Sequence, residues 1–464
     1  MTQPQQPSVS STETGTPAKP PRMWRTFVTF LIPMMISNIL QALSGTFNNI
    51  YLGQMLGVQA LAAVSAFFPV VFFFIAFSIG LGAGASVLIG QAWGAKELLR
   101  VKAIAGTTLA VGLIAGAVVA VFGGSFTQLF MAGLGTPVDI LPSTIAYARV
   151  MFWAMPGLFL FLLSTSMLRG VGDSVTPLWT LCISTAVGLL VTPALIRGWW
   201  GLPQMGVVSG AWGAVISYVV AMGWLAVYLL WRKHPLAPDA AFLRSMRIQP
   251  ALLAKVLRIG LPTGLQMVVI ALSEVAVLFL VNRFGSDATA AYGAVNQVVA
   301  YVQFPALSIA ITASILGAQA IGAGRGDSLG KIARTGIHLN LALTGTLVLL
   351  AYLFSRHILA LFITAPPVIE LAQTLLHIML WSTIIFGMQA VLSGLMRASG
   401  SVLVPTGISI FCILGIEVPT AWLLSQHMGL NGIWIAYPIT FICMLSLQTA
   451  YYRLVWKKKP LRRL

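Results

Sequence analysis

Two carboxyls stand where a chain this apolar should hold none. From Arg258 to Arg283 the sequence reads RIGLPTGLQMVVIALSEVAVLFLVNR, with a single charge, Glu274, between the two arginines. As a helix rising about 1.5 Å per residue, this stretch is long enough to cross the ~30 Å hydrocarbon core of a bilayer. A carboxylate near the middle of such a span is costly and usually belongs to ion or proton handling. Glu417 is the other acidic residue placed as deep. Each glutamate lies twelve residues after a proline, Pro262 or Pro405. With both helices entering from one face, each carboxyl sits about 18 Å beyond its proline. Equal depth permits the two to share the uptake of a proton or of Na⁺, with Glu274 as a possible Na⁺ ligand. The alternative is a neutral structural carboxyl, which at Glu417 would serve the backbone carbonyl freed by Pro419.

Other polar side chains fall on stripes. Tyr292, Asn296 and Gln303 occupy positions i, i+4 and i+11 of one helical face. Gln266 shares a face with Glu274, and Gln41 and Asn48 lie in the first apolar segment. Together with Gln389 these are candidates to line a substrate cavity, or else to bond between helices. No catalytic group or metal cluster stands out. The five histidines are scattered, and Cys182, Cys412 and Cys443 lie in apolar runs without metal-ligand spacing, which points to packing. Gly80-Leu-Gly-Ala-Gly-Ala-Ser86 has no lysine at a phosphate-loop spacing and reads as a close helix contact. Most of Phe67, Phe68, Phe72, Phe73 and Phe74 should face lipid or core, although an aromatic small molecule could stack on them.

The elements that must position these residues follow from composition. Apolar residues make up 58% of 464 and charged residues 8%, against roughly 45–50% and about 25% in soluble domains. Twelve long apolar segments are predicted, near 26–51, 59–92, 101–131, 142–168, 175–199, 206–231, 257–282, 288–320, 330–362, 368–396, 402–425 and 430–455. The net charge of +17 comes from short loops and the basic end of the chain, so it implies no nucleic acid. With both termini placed in the cytoplasm, every lysine and arginine but Arg149, Arg197, Arg283 and Arg356 falls on that side, as the positive-inside rule requires. The expected divisions are a disordered cytoplasmic tail (1–21), a six-helix bundle (22–231), a cytoplasmic connector (232–256), a second bundle (257–455) and a basic tail (456–464).

The halves repeat. Ala85-Ser-Val-Leu-Ile-Gly-Gln-Ala-Trp-Gly-Ala95 matches Ala313-Ser-Ile-Leu-Gly-Ala-Gln-Ala-Ile-Gly-Ala323, an offset of 228 residues. The same offset pairs Trp153 with Trp381 and Arg169, Gly172 and Pro177 with Arg397, Gly400 and Pro405. Six helices per half is an even number, so both copies enter the membrane in one direction. The fold class is therefore an all-α polytopic membrane protein with twelve transmembrane helices. They should form two six-helix bundles related by a pseudo-twofold along the membrane normal, with a cavity between them. Neither glutamate has an acidic counterpart at its repeat position in the first half, so the coupling site should lie in the second bundle alone.

Three motifs occur in matched register in both halves. They are Gly90-Gln-Ala-Trp-Gly-Ala95, Leu168-Arg-Gly-Val-Gly-Asp173 with Pro177, and Gly206-Val-Val-Ser-Gly-Ala-Trp212. Weaker copies run from Gln319 to Ala323, Arg397 to Pro405 and Gly429 to Trp434. The set resembles the multidrug and toxic compound extrusion (MATE) family over nearly the whole chain. The resemblance implies an inner-membrane antiporter that expels lipophilic, often cationic, compounds in exchange for Na⁺ or H⁺. Glu274 matches the glutamate that the NorM-type branch carries in its seventh helix. The sequence departs from that branch at Asn48 and Phe386, where aspartates are common. No cofactor is implied beyond the coupling ion, and the partners are drugs and membrane lipid, with a monomer expected. A lipid-linked saccharide flippase is the nearest rival, but it should want cationic residues in its cavity, and this membrane interior has almost none. A major-facilitator transporter would carry a different loop after its second helix. A membrane enzyme would need clustered histidines or acids at a membrane face.

Overall fold

The computed structural model describes residues 22–464, so the expected tail at 1–21 lies outside the described residues. Every regular element among them is helical. The first half runs through α1 (Met23–Leu56), α2 (Val58–Gly94), α3 (Leu98–Ser125) and the short α4 (Thr127–Gly133). It continues through α5 (Leu141–Trp153), α6 (Met155–Gly170), α7 (Val175–Arg197) and α8 (Val208–Trp231). A connector carrying α9 (Ala240–Ser245) leads to the second half. There α10 (Pro250–Asn282), α11 (Ser286–Gly322), α12 (Leu329–Leu353) and the short α13 (Ser355–Ala360) are followed by α14 (Pro366–Met379) and α15 (Ser382–Ala398). The half closes with α16 (Leu403–Cys412), α17 (Val418–Met428) and α18 (Leu430–Leu454). Ten spans are long and apolar enough to cross a bilayer, or twelve if each of two bent helix pairs counts as one span.

The bent pairs occupy equivalent places in the two halves but arise differently. Between α5 and α6 the axis turns by 51°. Pro156 lies in the first turn after the break and has no N–H to continue the ladder. Between α14 and α15 the axis turns by 42° with no proline at the break. There Ser382 donates to the Met379 carbonyl at 2.5 Å and Thr383 to the Leu380 carbonyl at 2.6 Å. These hydroxyls offer the backbone carbonyls an alternative partner to the helical N–H. The α10 helix starts at Pro250, seven residues before the apolar segment, because Pro250 pre-sets the first helical turn.

The named contacts between the halves fall toward the end that carries the basic loops. Along α2 and α10 the glycines let the two backbones touch. A Cβ at Gly80 would lie 2.8 Å from the Gly264 nitrogen, and one at Gly260 2.7 Å from the Gly80 carbonyl oxygen. The glycine-rich run is therefore a helix crossing, as its sequence suggests. Further along the seam Asn38 of α1 donates to Ser308 of α11 at 2.8 Å. Phe30 and Met34 of α1 pack with Ile315 of α11.

The connector is docked on the first half. Phe242 is buried, and the Ser245 hydroxyl reaches the Lys102 carbonyl at 3.1 Å. Asp239 caps α9 through the Phe242 N–H at 2.7 Å and pairs with Lys102 at 3.6 Å.

Candidate functional site

Glu274 lies in the last third of α10, partly buried, and faces α11 and α18. Tyr292 donates its hydroxyl to one carboxyl oxygen of Glu274 at 2.5 Å. Tyr437 of α18 reaches both oxygens, at 3.3 and 3.2 Å. Asn296, one turn along α11 from Tyr292, adjoins the same carboxyl. Tyr292 is held in turn by Trp434, whose ring stands edge-on to it at 5.3 Å and 86°. The Trp434 indole N–H is buried and has no hydrogen-bond partner. Three helices thus converge on one carboxyl and supply two phenolic donors.

Glu417 sits on a neighbouring face of the same bundle and is 5% exposed. Its carboxyl accepts from the Ser273 hydroxyl at 2.6 Å. Ser273 and Glu274 are successive residues of α10, so the two carboxyls meet adjacent positions of one helix while taking their hydrogen bonds from different partners. The segment that carries Glu417, Ile413–Glu417, is one turn of π-helix between α16 and α17. Pro419 cannot donate to the carbonyl four residues back, and the wider turn accommodates that loss.

The remaining predicted residues separate into groups. Tyr292 and Asn296 belong to the Glu274 cluster. Gln266 and Gln303 are half-buried and make none of the hydrogen bonds around it. Gln389 is buried on α15 with its carbonyl oxygen unpaired. In the first half Gln41 is exposed and Asn48 half-buried, its side-chain oxygen close to Gly210. A cleft of about 590 Å³ opens at the end away from the basic loops. It lies between Gly293 and Gln297 of α11 and the 362–368 segment. Sequence reasoning missed Tyr437 and Ser273. Tyr437 had a faint signal, a lone phenol beside Pro438 in an apolar span. Ser273 had none, because a serine next to a glutamate says nothing of which helix the hydroxyl will meet. Asp173, four residues after Arg169 in the repeated motif, engages the start of α7 and the connector. It accepts from the Val175 and Thr176 N–H groups at 3.1 and 2.9 Å and lies 3.7 Å from His234 of the connector. No group of three or more histidine, cysteine or acidic side chains among the described residues could hold a metal.

At the basic end the repeated glutamines meet reciprocally. Gln91 of α2 donates to the Ala398 carbonyl at the end of α15, at 2.8 Å. Gln319 of α11 donates to the Gly170 carbonyl at the end of α6, at 3.1 Å. Both donors and both acceptors are related by the 228-residue offset. The glycine three residues after each glutamine lets the helices close. A Cβ at Gly94 would lie 2.8 Å from the Gln319 carbonyl carbon, and one at Gly322 2.7 Å from that of Gln91. This clasp explains why the motif needs glutamine and glycine at that spacing.

Comparison with known proteins agrees with this arrangement. The family model MatE matches residues 33–194 and again 262–423, once in each half. The chain is 46% identical to the probable multidrug resistance protein YoeA of Bacillus subtilis (strain 168), over 96% of both chains. It is 23% identical to the multidrug export protein MepA of Staphylococcus aureus (strain MSSA476), over 93% of this chain and 94% of that one. A solved structure of a multidrug resistance MATE family transporter in an outward-facing conformation superposes with a TM-score of 0.86 at 22% identity, covering 93% and 95% of the two chains. With a helical fold of this kind and a family model matched over most of its length, the chain belongs to the MATE family of transporters.

Proposed function

We propose that the protein is a secondary active multidrug exporter of the inner membrane with both termini in the cytoplasm. It would move lipophilic or cationic compounds outward against inward Na⁺ or H⁺ by alternating access. Glu274 is the coupling group, assisted by Glu417. The observation that carries this reading is the Glu274 carboxyl itself, set within an apolar span and held by Tyr292 and Tyr437. A structural carboxyl needs satisfied hydrogen bonds only. A coupling carboxyl must also exchange its proton or cation, and Glu274 remains partly accessible where Glu417 does not. The relatives named for multidrug resistance and export support the substrate class. Coupling needs only that ion and drug favour different states of the transporter, or compete for one cavity. The seam closed at the basic end corresponds to a state open to the outside.

The test is efflux of a fluorescent lipophilic cation from cells making the wild type or Glu274→Gln, with Na⁺ and pH gradients imposed separately. Loss of efflux in a normally inserted variant, together with dependence of the wild type on one gradient, supports the reading and names the ion. Gradient-driven efflux that survives Glu274→Gln overturns the role of Glu274. A well-folded wild type that moves no dye brings a lipid-linked saccharide flippase forward instead.

A further inference from the structure

The clasp at the basic end is symmetric, but what lies over it is not. After α18 the chain turns back across the seam. The Trp456 ring is buried and its indole N–H donates to the Ser399 hydroxyl at 2.8 Å, fixing the segment to the loop that follows α15. Leu461 then packs on Gly326, and a Cβ there would lie 3.2 Å from its methyl group. The Leu464 side chain covers Gly400, whose positive φ of 80° turns that loop. All these contacts are with the second half.

The last residues reach the first half. The Leu464 N–H donates to the side-chain oxygen of Gln91 at 2.9 Å, and its carbonyl oxygen accepts from the Arg100 guanidinium. Arg463 lies 3.4 Å from Glu97, which also pairs with Arg100 at 3.4 Å. Gln91 is therefore engaged at both ends of its amide, by Ala398 of the other half and by Leu464. Gln319, its repeat partner, carries the clasp bond alone on the opposite side. A Gln91 that must swing away for the halves to part would have to lose both bonds at once.

We propose that residues 456–464 form a latch that holds the clasp shut at the basic end, so that the strap must leave Gln91 before the halves can separate there. The proposal rests on the alternating-access reading above, since a transporter with one state would need no latch. The same residues that anchor the strap set the order of events. Trp456 is buried against the second half and stays, whereas the bonds to Gln91, Glu97 and Arg100 are polar, partly exposed and reversible.

Hydrogen–deuterium exchange on the purified protein tests this without using transport as the readout. The segments to follow are 86–97 and 392–402, which hold the two sides of the Gln91 bond. Deletion of 461–464 should speed exchange in both by about fivefold, the factor that corresponds to a net contribution of about 1 kcal/mol from the lost hydrogen bond to Gln91, while the span containing Glu274 keeps its protection. Glu97→Arg and Arg463→Glu should each loosen the same segments, and the double variant should restore protection by reversing the pair. Unchanged exchange after the deletion overturns the latch. So does a general loss of protection in the single variants that the double variant fails to reverse, since that is the behaviour of a strap needed only for folding. If the wild type moves no dye, the exporter reading fails while the exchange result still decides the latch.

Discussion

The two tyrosines on Glu274 should not be equivalent, and the difference can be worked from their geometry. Tyr292 makes one short bond at 2.5 Å. Tyr437 shares one proton between both oxygens at 3.3 and 3.2 Å. A hydrogen bond to a charged group contributes about 1.5–3 kcal/mol, and an ordinary one about 0.5–1.5 kcal/mol. The short bond belongs to the first class and the long, divided one to the second. Tyr292→Phe should therefore slow gradient-limited efflux by roughly 10- to 150-fold, and Tyr437→Phe by roughly 2- to 12-fold. The assay is dye efflux at a subsaturating gradient, normalised to the amount of protein in the membrane. Since loss of Glu274 should itself abolish efflux, the control reads thermal stability of the purified protein: in a Glu274→Ala background neither phenol has a carboxyl to serve, and the effect of each substitution on stability should vanish. A larger loss from Tyr437→Phe would refute the ranking. Undiminished effects in the alanine background would show that the phenols act elsewhere.

Two further outcomes follow from contacts at the basic end. Gly322→Ala puts a methyl group against the Gln91 backbone, and overpacking of this kind costs about 1–3 kcal/mol. It should spread the seam, seen as faster exchange in 86–97 and lower thermal stability, whereas Gly330→Ala, with open space around it, should do neither. The connector should respond to acid. Burial holds His234 below the usual histidine range, opposed by the nearby Asp173 carboxylate. A histidine lowered in the folded state is more readily protonated once released, so its contribution to docking is present above about pH 6.5, its ordinary value, and is lost as the pH falls below it. After correction for the intrinsic pH dependence of amide exchange, protection in 232–249 should be lower at pH 5.5 than at 7.5, and His234→Gln should flatten that dependence. A dependence unchanged by the substitution would remove His234 from the account.

Much of the architecture was legible because membrane spans are written in composition. Long apolar segments bounded by basic loops gave the helices to within a few residues at most ends, and the 228-residue offset gave the repeat. The bend between α5 and α6 had a visible cause in Pro156. The bend between α14 and α15 did not, because Ser382 and Thr383 act through hydroxyls that could equally have bonded within a straight helix. At the site, the repeat put Glu274 and Glu417 in one bundle and equal depth allowed them to meet. It could not say that Glu417 would meet Ser273 rather than Glu274, since that depends on the rotation of α16 and α17, which the π-turn at Ile413–Glu417 resets. The glutamines of the repeated motif were recognisable as a motif, but their reciprocity exists only when the halves are brought together.

The symmetry of the repeat survives where the halves touch and fails where an ion would be handled. Closing the seam is a task shared by both halves, and the Gln91 and Gln319 bonds divide it equally. In the proposed mechanism charge is carried in one half, by a carboxyl whose repeat position holds no acidic residue. A one-sided site still has to bias a two-sided seam, and α10 joins them. Its Gly260 and Gly264 lie against α2, and Glu274 lies ten to fourteen residues further along, about 15–21 Å by helix rise. A helix packed backbone to backbone at the seam cannot turn or tilt there without shifting its other end. If Glu274 is loaded as proposed, release of the Tyr292 and Tyr437 bonds would free that end from α11 and α18. On the proposed mechanism the same helix would feel the ion and hold the seam, so a substitution that loosens Gly264 against Ala76 should weaken the link between ion and drug while leaving the carboxyl in place.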